Sequence, residues 1–321
     1  MKVLVTGSSG HLGEALVRTL RAGGDEVIGL DILPSPFTSH IGSITDRNQV
    51  AQTMEGIEGV FHAATLHKPH VATHRSQVFV DTNITGTLNL LEESISKRVK
   101  FFIFTSTTSV FGDALIPPPG EPALWVTEEL NPVSKNIYGV TKLAAENLCQ
   151  LFHRNYGLAC MVLRTSRFFP EEDDDPIVRA AYADANIKAN EFLLRRVEIE
   201  DAVSAHLLAA SRAREIGFGT YIVSATTLFS PDHLAELRVN APAVVKRLLP
   251  AYEKEFAIRG WKMFPSIDRV YSNELAREEL GWKPNNDFSR VIERLSISSD
   301  WRSELAKEIG SKGYHDERFS K

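Results

Sequence analysis

The sequence predicts an α/β fold, a doubly wound parallel sheet with helices on both faces and a smaller, discontinuous lobe towards the C-terminus. Three observations carry this expectation. Short apolar runs bounded by Gly, Asp, Thr or Ser alternate with amphipathic helical patterns through the first half of the chain. A glycine-rich turn stands between the first run and the first helical pattern. Beyond an acidic run at residues 171–175 the alternation loosens, so the later segments belong to a separate lobe.

Met1-Lys2-Val3-Leu4-Val5 opens directly as strand material, with no apolar signal-peptide core before it. Buried strands are expected at Val3–Val5, Glu26–Leu30, Gly59–His62, Phe101–Phe104 and Ala159–Leu163, each too short and too uniformly apolar for a surface helix. Helices are expected between them at Leu12–Ala22, Arg47–Met54, Phe79–Lys97 and Tyr138–Tyr156. Pro117, Pro118, Pro119, Pro122 and Pro132 make Asp113–Val133 a loop, and Glu171–Pro176 reads as a second one. Further on, helices are expected at Asp201–Arg214, Pro231–Leu237 and Asn273–Leu280, with a strand at Thr220–Val223 extending the sheet. The expected division is a nucleotide-binding domain over residues 1–166, its sheet extended by 195–225, and a substrate lobe from 167–194 and 226–321.

A chain of 321 residues with 43% hydrophobic and 24% charged residues can bury a sizeable core. Its net charge of −5 argues against a nucleic-acid partner, which calls for a basic excess. Two cysteines, Cys149 and Cys160, cannot build a disulfide framework, so a reducing cytoplasm is the expected setting. No run approaches the ~20 apolar residues of a membrane span. Neither a membrane nor a metal site is expected; the expected partner is a small molecule.

In Thr6-Gly7-Ser8-Ser9-Gly10-His11-Leu12-Gly13 the glycines permit a tight turn, close backbone approach to a pyrophosphate, and close helix–strand packing. The helix that follows aims its amide hydrogens and positive dipole end at the phosphates. Asp31 ends the second strand, where a carboxylate accepts from the adenosine ribose hydroxyls and repels a 2′-phosphate. Its other reading is a turn residue opening Asp31-Ile32-Leu33-Pro34. With no arginine close behind it, the cofactor expected of this Rossmann-type domain is NAD rather than NADP.

Tyr138-Gly139-Val140-Thr141-Lys142 puts a phenol and an ammonium on one face of a helix. A nearby cation favours phenolate, bringing a group of pKa ~10 towards service as a base. Such a pair also arises by chance as a surface tyrosine beside a solvated lysine. Thr105-Ser106-Thr107-Thr108-Ser109 ends a buried strand where parallel sheets bind ligands, although capping and turn chemistry account for some of these hydroxyls.

Together, Gly7-x-x-Gly10-x-x-Gly13, Phe61-His62-Ala63-Ala64, Asn83-x-x-Gly86-Thr87, Ser106-Thr107 with Val110-Phe111-Gly112, Tyr138-x-x-x-Lys142 and Leu280-Gly281-Trp282 span nearly the whole chain. In order and spacing they resemble the extended short-chain dehydrogenase/reductases, the group containing UDP-glucose 4-epimerase and the nucleotide-sugar dehydratases. The resemblance implies a pyrophosphate loop of Gly7, Ser9, Gly10, His11, Leu12 and Gly13, with Asp31 as the ribose acid. Ser43-Ile44 stands where the family has an acid and an aliphatic residue at the adenine. Ala63, Ala64 and Thr65 match the strand end lying against the cofactor. His67 falls where the epimerases have a lysine near the nicotinamide ribose, and Asn83 matches the helix asparagine behind the active site. Thr165 and Ser166 match the nicotinamide end, and Thr105 is a further candidate for cofactor contact. Thr107 matches the residue that hydrogen-bonds the reacting oxygen, Tyr138 the base, and Lys142 the lysine that binds the ribose and tunes the tyrosine.

Departures from the family narrow the chemistry. Thr108 and Ser109 follow Thr107 where dehydratases carry Asp-Glu and decarboxylases a Glu, so an epimerase or a plain dehydrogenase fits better. Arg167 stands where UDP-sugar epimerases have Asn, and their later Arg-Asp and Arg-x-Gly-Asp elements have no clean counterpart in Arg195, Arg196 or Arg259. Thr108 and Arg167 are the candidate substrate residues. These arginines either bind an anionic group or partner Glu171–Asp175. The expected function is an NAD-dependent sugar-nucleotide 4-epimerase, the alternative a dehydrogenase of a smaller sugar, uronate or other alcohol, and the third a non-catalytic NAD-binding regulator. Ile84, Leu88, Leu91, Leu143, Leu148, Leu151 and Phe152 put more apolar surface on two helices than one face needs. In the family those helices pair across a two-fold axis, which implies a homodimer.

Overall fold

The computed structural model describes residues 1–313. Residues 314–321, the end of the expected substrate lobe, lie outside the described residues. The first half runs β1 (Lys2–Thr6), α1 (His11–Ala22), β2 (Glu26–Asp31), β3 (His40–Ile41), α2 (Arg47–Thr53), β4 (Gly59–His62), α3 (Ser76–Phe79), α4 (Gly86–Ser96), β5 (Phe101–Thr107) and β6 (Leu124–Val126). Then come α5 (Ile137–Tyr156), β7 (Cys160–Thr165), α6 (Pro176–Ala181), α7 (Asp184–Glu191), α8 (Ile199–Ile216) and β8 (Phe218–Val223). The rest comprises α9 (Leu234–Leu248), α10 (Ala251–Arg259), β9 (Arg269–Tyr271), α11 (Glu274–Glu279), α12 (Phe288–Ile297) and α13 (Glu304–Ile309).

Seven strands form one sheet in the order β3-β2-β1-β4-β5-β7-β8, every pair parallel. Alternate residues feed opposite cores, as a strand buried on both faces requires. Val3 and Val5 join Leu16 of α1 and Val203 of α8. Leu4 joins Leu90 of α4 and Cys149 of α5 on the other side. The strand order reverses between β1 and β4, which opens a crevice at their carboxyl ends. A separate apolar cluster, including Phe192, Leu237, Phe256, Phe288 and Trp301, holds the C-terminal lobe.

Several elements differ from expectation for physical reasons. β5 continues past Phe104 because Thr105, Ser106 and Thr107 pair in register with Leu163, Arg164 and Thr165 of β7. The helix expected at Phe79–Lys97 is broken by a π-helical turn over Val80–Thr85, between α3 and α4. Such a turn inserts a residue and marks functional sites more often than chance. The helix expected at Pro231–Leu237 reaches Leu248 with a bend at Asn240, where Pro242 removes a backbone donor. In the proline loop β6 forms because it pairs with β9, more than a hundred residues away. The acidic stretch is a loop, and two short helices, α6 and α7, follow it.

Candidate active site

The glycine turn sits at the crevice. Gly7 has φ +71°, and a Cβ there would lie 2.7 Å from the Ala64 nitrogen at the end of β4. A Cβ on Gly13 would meet the Gly7 carbonyl oxygen at 1.8 Å. Neither position tolerates a side chain, so the turn is as compact as a pyrophosphate cradle must be. Gly10 precedes α1, and Leu12 is buried beneath it. Asp31 is fixed at the end of β2: its carboxylate accepts from the Ser9 nitrogen at 3.0 Å and the Leu33 nitrogen at 2.9 Å. These bonds realise the turn reading of Asp31. Ser43 is tied to Thr45 at 2.8 Å, and Ile44 points its side chain into the core against Gly86.

At the other end of the crevice, Asn136 caps α5 by accepting from the Gly139 nitrogen at 3.0 Å, which starts the helix just before Tyr138. The helix carries Tyr138, Thr141, Lys142, Ala145, Glu146 and Cys149 inward. Burial pushes the Tyr138 phenol up to about 12, and a hydrogen bond with Thr107 pulls the other way. Burial draws Lys142 down to about 7, opposed mainly by the Glu146 carboxylate. The lysine Nζ donates to the Thr105 carbonyl at 2.6 Å and lies 4.0 Å from the centre of the Phe104 ring. Thr107 Oγ1 also accepts from the Ser109 nitrogen at 3.1 Å, which opens the turn holding Thr108. Tyr138, Lys142 and Thr107 are thus gathered at the carboxyl end of β5.

Behind them, Asn83 lies in the π-helical turn and meets all its hydrogen-bonding capacity. Its Nδ2 donates to the Leu66 carbonyl and to Thr141 Oγ1, each at 3.0 Å. Its Oδ1 accepts from Thr65 Oγ1 and the Leu66 nitrogen, each at 2.9 Å. This one side chain ties the β4 loop to α5 between Tyr138 and Lys142. Thr165 Oγ1 donates to the Ser106 carbonyl at 2.9 Å, whereas the buried Ser166 Oγ has no hydrogen-bond partner among the described residues. An orphaned hydroxyl one residue past Thr165, which pairs with Thr107, fits a polar ligand group, as the nicotinamide end of a dinucleotide would supply.

The acidic segment is built, not merely solvated. Arg167 reaches Asp173 at 2.5 Å and Glu191 at 3.2 Å, Arg195 reaches the same two, and Arg196 reaches Glu191 at 2.9 Å. Arg259 is held by Glu255 at 2.8 Å. Arg167 and Arg195 thus realise the pairing with the acidic segment, whereas Arg196 and Arg259 find their partners outside it, in Glu191 and Glu255. Glu171, buried, meets His11 Nε2 at 3.1 Å, and Asp174 meets Lys68 at 2.9 Å. The Phe169 ring lies 6.1 Å from His11 and 5.7 Å from His67. Because His11 follows β1 and His67 and Lys68 follow β4, residues 169–174 strap across the crevice between those two strands.

Sequence reasoning missed that strap, and it missed the buried Glu146–Arg164 pair and the 2.8 Å contact of His206 with Thr105 Oγ1. Only Glu146 left a local signal, four residues beyond Lys142 on the same helix face.

Against known proteins, the model of the NAD dependent epimerase/dehydratase family matches residues 3–224. The chain is 27% identical to the UDP-glucose 4-epimerase of Streptococcus mutans, over 98% of this chain and 99% of that one. It is 25% identical to a 3-beta-hydroxysteroid dehydrogenase of Mycolicibacterium neoaurum, covering 88% and 87%. A 35% identical stretch in an uncharacterized protein of Sinorhizobium fredii takes in 50% of this chain but spans only 39% of that one. Among solved structures, a short-chain dehydrogenase/reductase superfamily protein of Agrobacterium tumefaciens with bound NAD superposes with a TM-score of 0.66 at 24% identity, covering 96% and 99%.

Proposed function

Because the chain belongs to the NAD dependent epimerase/dehydratase family, we propose that it is a sugar-nucleotide 4-epimerase-type enzyme in which Tyr138 is the base. The observation that carries this reading is the convergence of Tyr138, Thr107 and Lys142 at the carboxyl end of β5. NAD is the family's cofactor and, when bound, would supply a reversible hydride acceptor. Gly7, Ser9, Gly10, His11, Leu12 and Gly13 would hold its pyrophosphate, Asp31 and Ser43-Ile44 its adenosine end. Ala63, Ala64, Thr65, His67, Thr105, Thr165 and Ser166 would line the rest, with Asn83 behind.

Thr107 donates to or accepts from the reacting oxygen and so aims it at Tyr138. The Tyr138 phenolate accepts the proton of that hydroxyl and becomes the phenol. Left to its burial, at about 12, it stays protonated at neutral pH, so a cation beside it is required to favour the phenolate. Lys142 supplies that cation and holds it by donating to the Thr105 carbonyl. Thr108 stands next to Thr107 and is the remaining candidate for substrate contact.

An epimerase returns its hydride to the same substrate, so it gains from holding the cofactor through every turnover. The strap over residues 169–174 favours that reading over a dehydrogenase, which must exchange its cofactor. The purified protein is expected to carry NAD, and a screen of sugar nucleotides is expected to change epimer ratios without net absorbance change at 340 nm. Stoichiometric NADH release on an alcohol substrate would select the dehydrogenase instead.

Asp31 sets cofactor choice. Asp31→Ala is expected to improve NADP binding relative to NAD, because carboxylate–phosphate repulsion disappears. Equilibrium titration of both cofactors checks this, and a parent protein that already prefers NADP would refute it.

The outer face of α4 and α5 supports the homodimer, on a narrower stripe than the composition implied. Leu91 and Phe152 are buried in the monomer core, while Val140 and Leu151 stay 49% and 37% exposed. Light scattering is expected to give twice the 35.7 kDa chain mass. Free, buried Cys149 and Cys160 suit a reducing cytoplasm. Among the described residues no helix is long and apolar enough to cross a membrane.

A further inference from the structure

Glu146 stands one helical turn beyond Lys142 on α5 and is buried with it. A buried carboxylate needs partners, and this one has two. It accepts from Ser106 Oγ at 2.5 Å, and Arg164 meets it through Nε at 3.1 Å and Nη2 at 2.8 Å. Arg164 is fixed in turn over the Phe111 ring at 4.9 Å. Ser106 lies between Thr105, whose carbonyl holds Lys142, and Thr107, which faces Tyr138. The knot therefore fastens α5 to β5 and β7 directly beneath the three candidate catalytic groups.

We propose that Glu146, held by Ser106 and Arg164, is the positioning residue for Lys142: it locks α5 against the end of β5 and keeps the buried ammonium charged. The proposal rests on the role given to Lys142 above. The other groups facing Lys142 do not supply this charge. On α5, burial pushes the Tyr138 phenol and the Cys149 thiol up, so neither is an anion in the resting protein. From β4, His62 is held neutral by burial and by Lys142 itself. From α8, His206 is likewise held neutral by burial. From β7, Arg164 is a cation spent on Glu146. Burial draws Lys142 down to about 7, and the Glu146 carboxylate one turn away is the main charge opposing it.

Glu146→Gln keeps the shape and an acceptor for Ser106 and Arg164 but removes the charge. Burial then goes unopposed, the Lys142 ammonium deprotonates at lower pH, and the alkaline limb of the kcat/KM profile moves down by about one unit. Ser106→Ala keeps the charge and loosens the anchor, so it should lower kcat without moving that limb. Glu146→Asp should restore the limb. The titration of Lys142 itself is followed by NMR on full-length protein labelled with 13C at lysine Cε, its signal assigned by loss in Lys142→Arg. An unchanged Lys142 titration in Glu146→Gln overturns the proposal, as does a Ser106→Ala limb shifted as far as that of Glu146→Gln. A moved titration with an unmoved rate profile upholds the proposal and refutes the catalytic role of Lys142. Should Glu146→Gln fail to fold, the proposal stands or falls on Ser106→Ala and Glu146→Asp: Ser106→Ala must lower kcat, and Glu146→Asp must keep the parental limb.

Discussion

Tyr138→Phe is expected to lower turnover by about three orders of magnitude while leaving NAD affinity within about twofold of the parent, the loss being that of a general base in contact with the reacting group. The ring is 7% exposed and packs in place, so removing one oxygen leaves no void. The hydroxyl's partner, Thr107, keeps its second bond to the Ser109 nitrogen and stays ordered. Single-turnover kinetics with the identified substrate, beside fluorescence titration with NAD, separates the two effects. Retention of more than about a tenth of parental turnover would remove Tyr138 as the base.

Replacing Lys142 with Met is expected to separate stability from function. Methionine matches the lysine stem in length and removes the charge, so turnover and cofactor affinity should both fall steeply. Without cofactor the variant should nevertheless melt higher than the parent near pH 6.5. The folded-state value of about 7 lies below the ordinary lysine value of 10.5, so the unfolded chain binds the extra proton between those limits. Parental stability from this group therefore rises with pH from about 7 to about 10.5. Below about 7 the ammonium is buried in the fold at full cost, on the order of a few kcal/mol. The advantage of the variant should be largest there and close towards pH 10.5. Adding NAD should reverse the order, raising the parent's melting temperature and not the variant's. Scanning calorimetry across pH, with and without NAD, reads both. A Met variant less stable than the parent at pH 6.5 would show that Lys142 is not held at a cost.

The sequence alone determined the α/β class, the strand and helix alternation up to β7, and the family resemblance, because these rest on local information. A buried parallel strand is a compact apolar run wherever it lies, and a glycine that cannot bear a side chain is visible as a glycine. Tyr138 and Lys142 share a face through helical spacing alone, and both lie buried on α5. Pairing between distant segments is a different matter. β6 exists because β9 supplies its hydrogen bonds, and β5 is longer than its apolar run because β7 pairs with Thr105–Thr107. The arginines and acids read equally as ligand site or ion pairs until folding set Arg167 and Arg195 against Asp173 and Glu191. Glu171 met His11, and Glu146 met Ser106 and Arg164, by the same tertiary juxtaposition. A side chain's periodicity is written in its neighbours in sequence, but the partner that neutralises a buried charge is chosen only when the sheet brings its strands together.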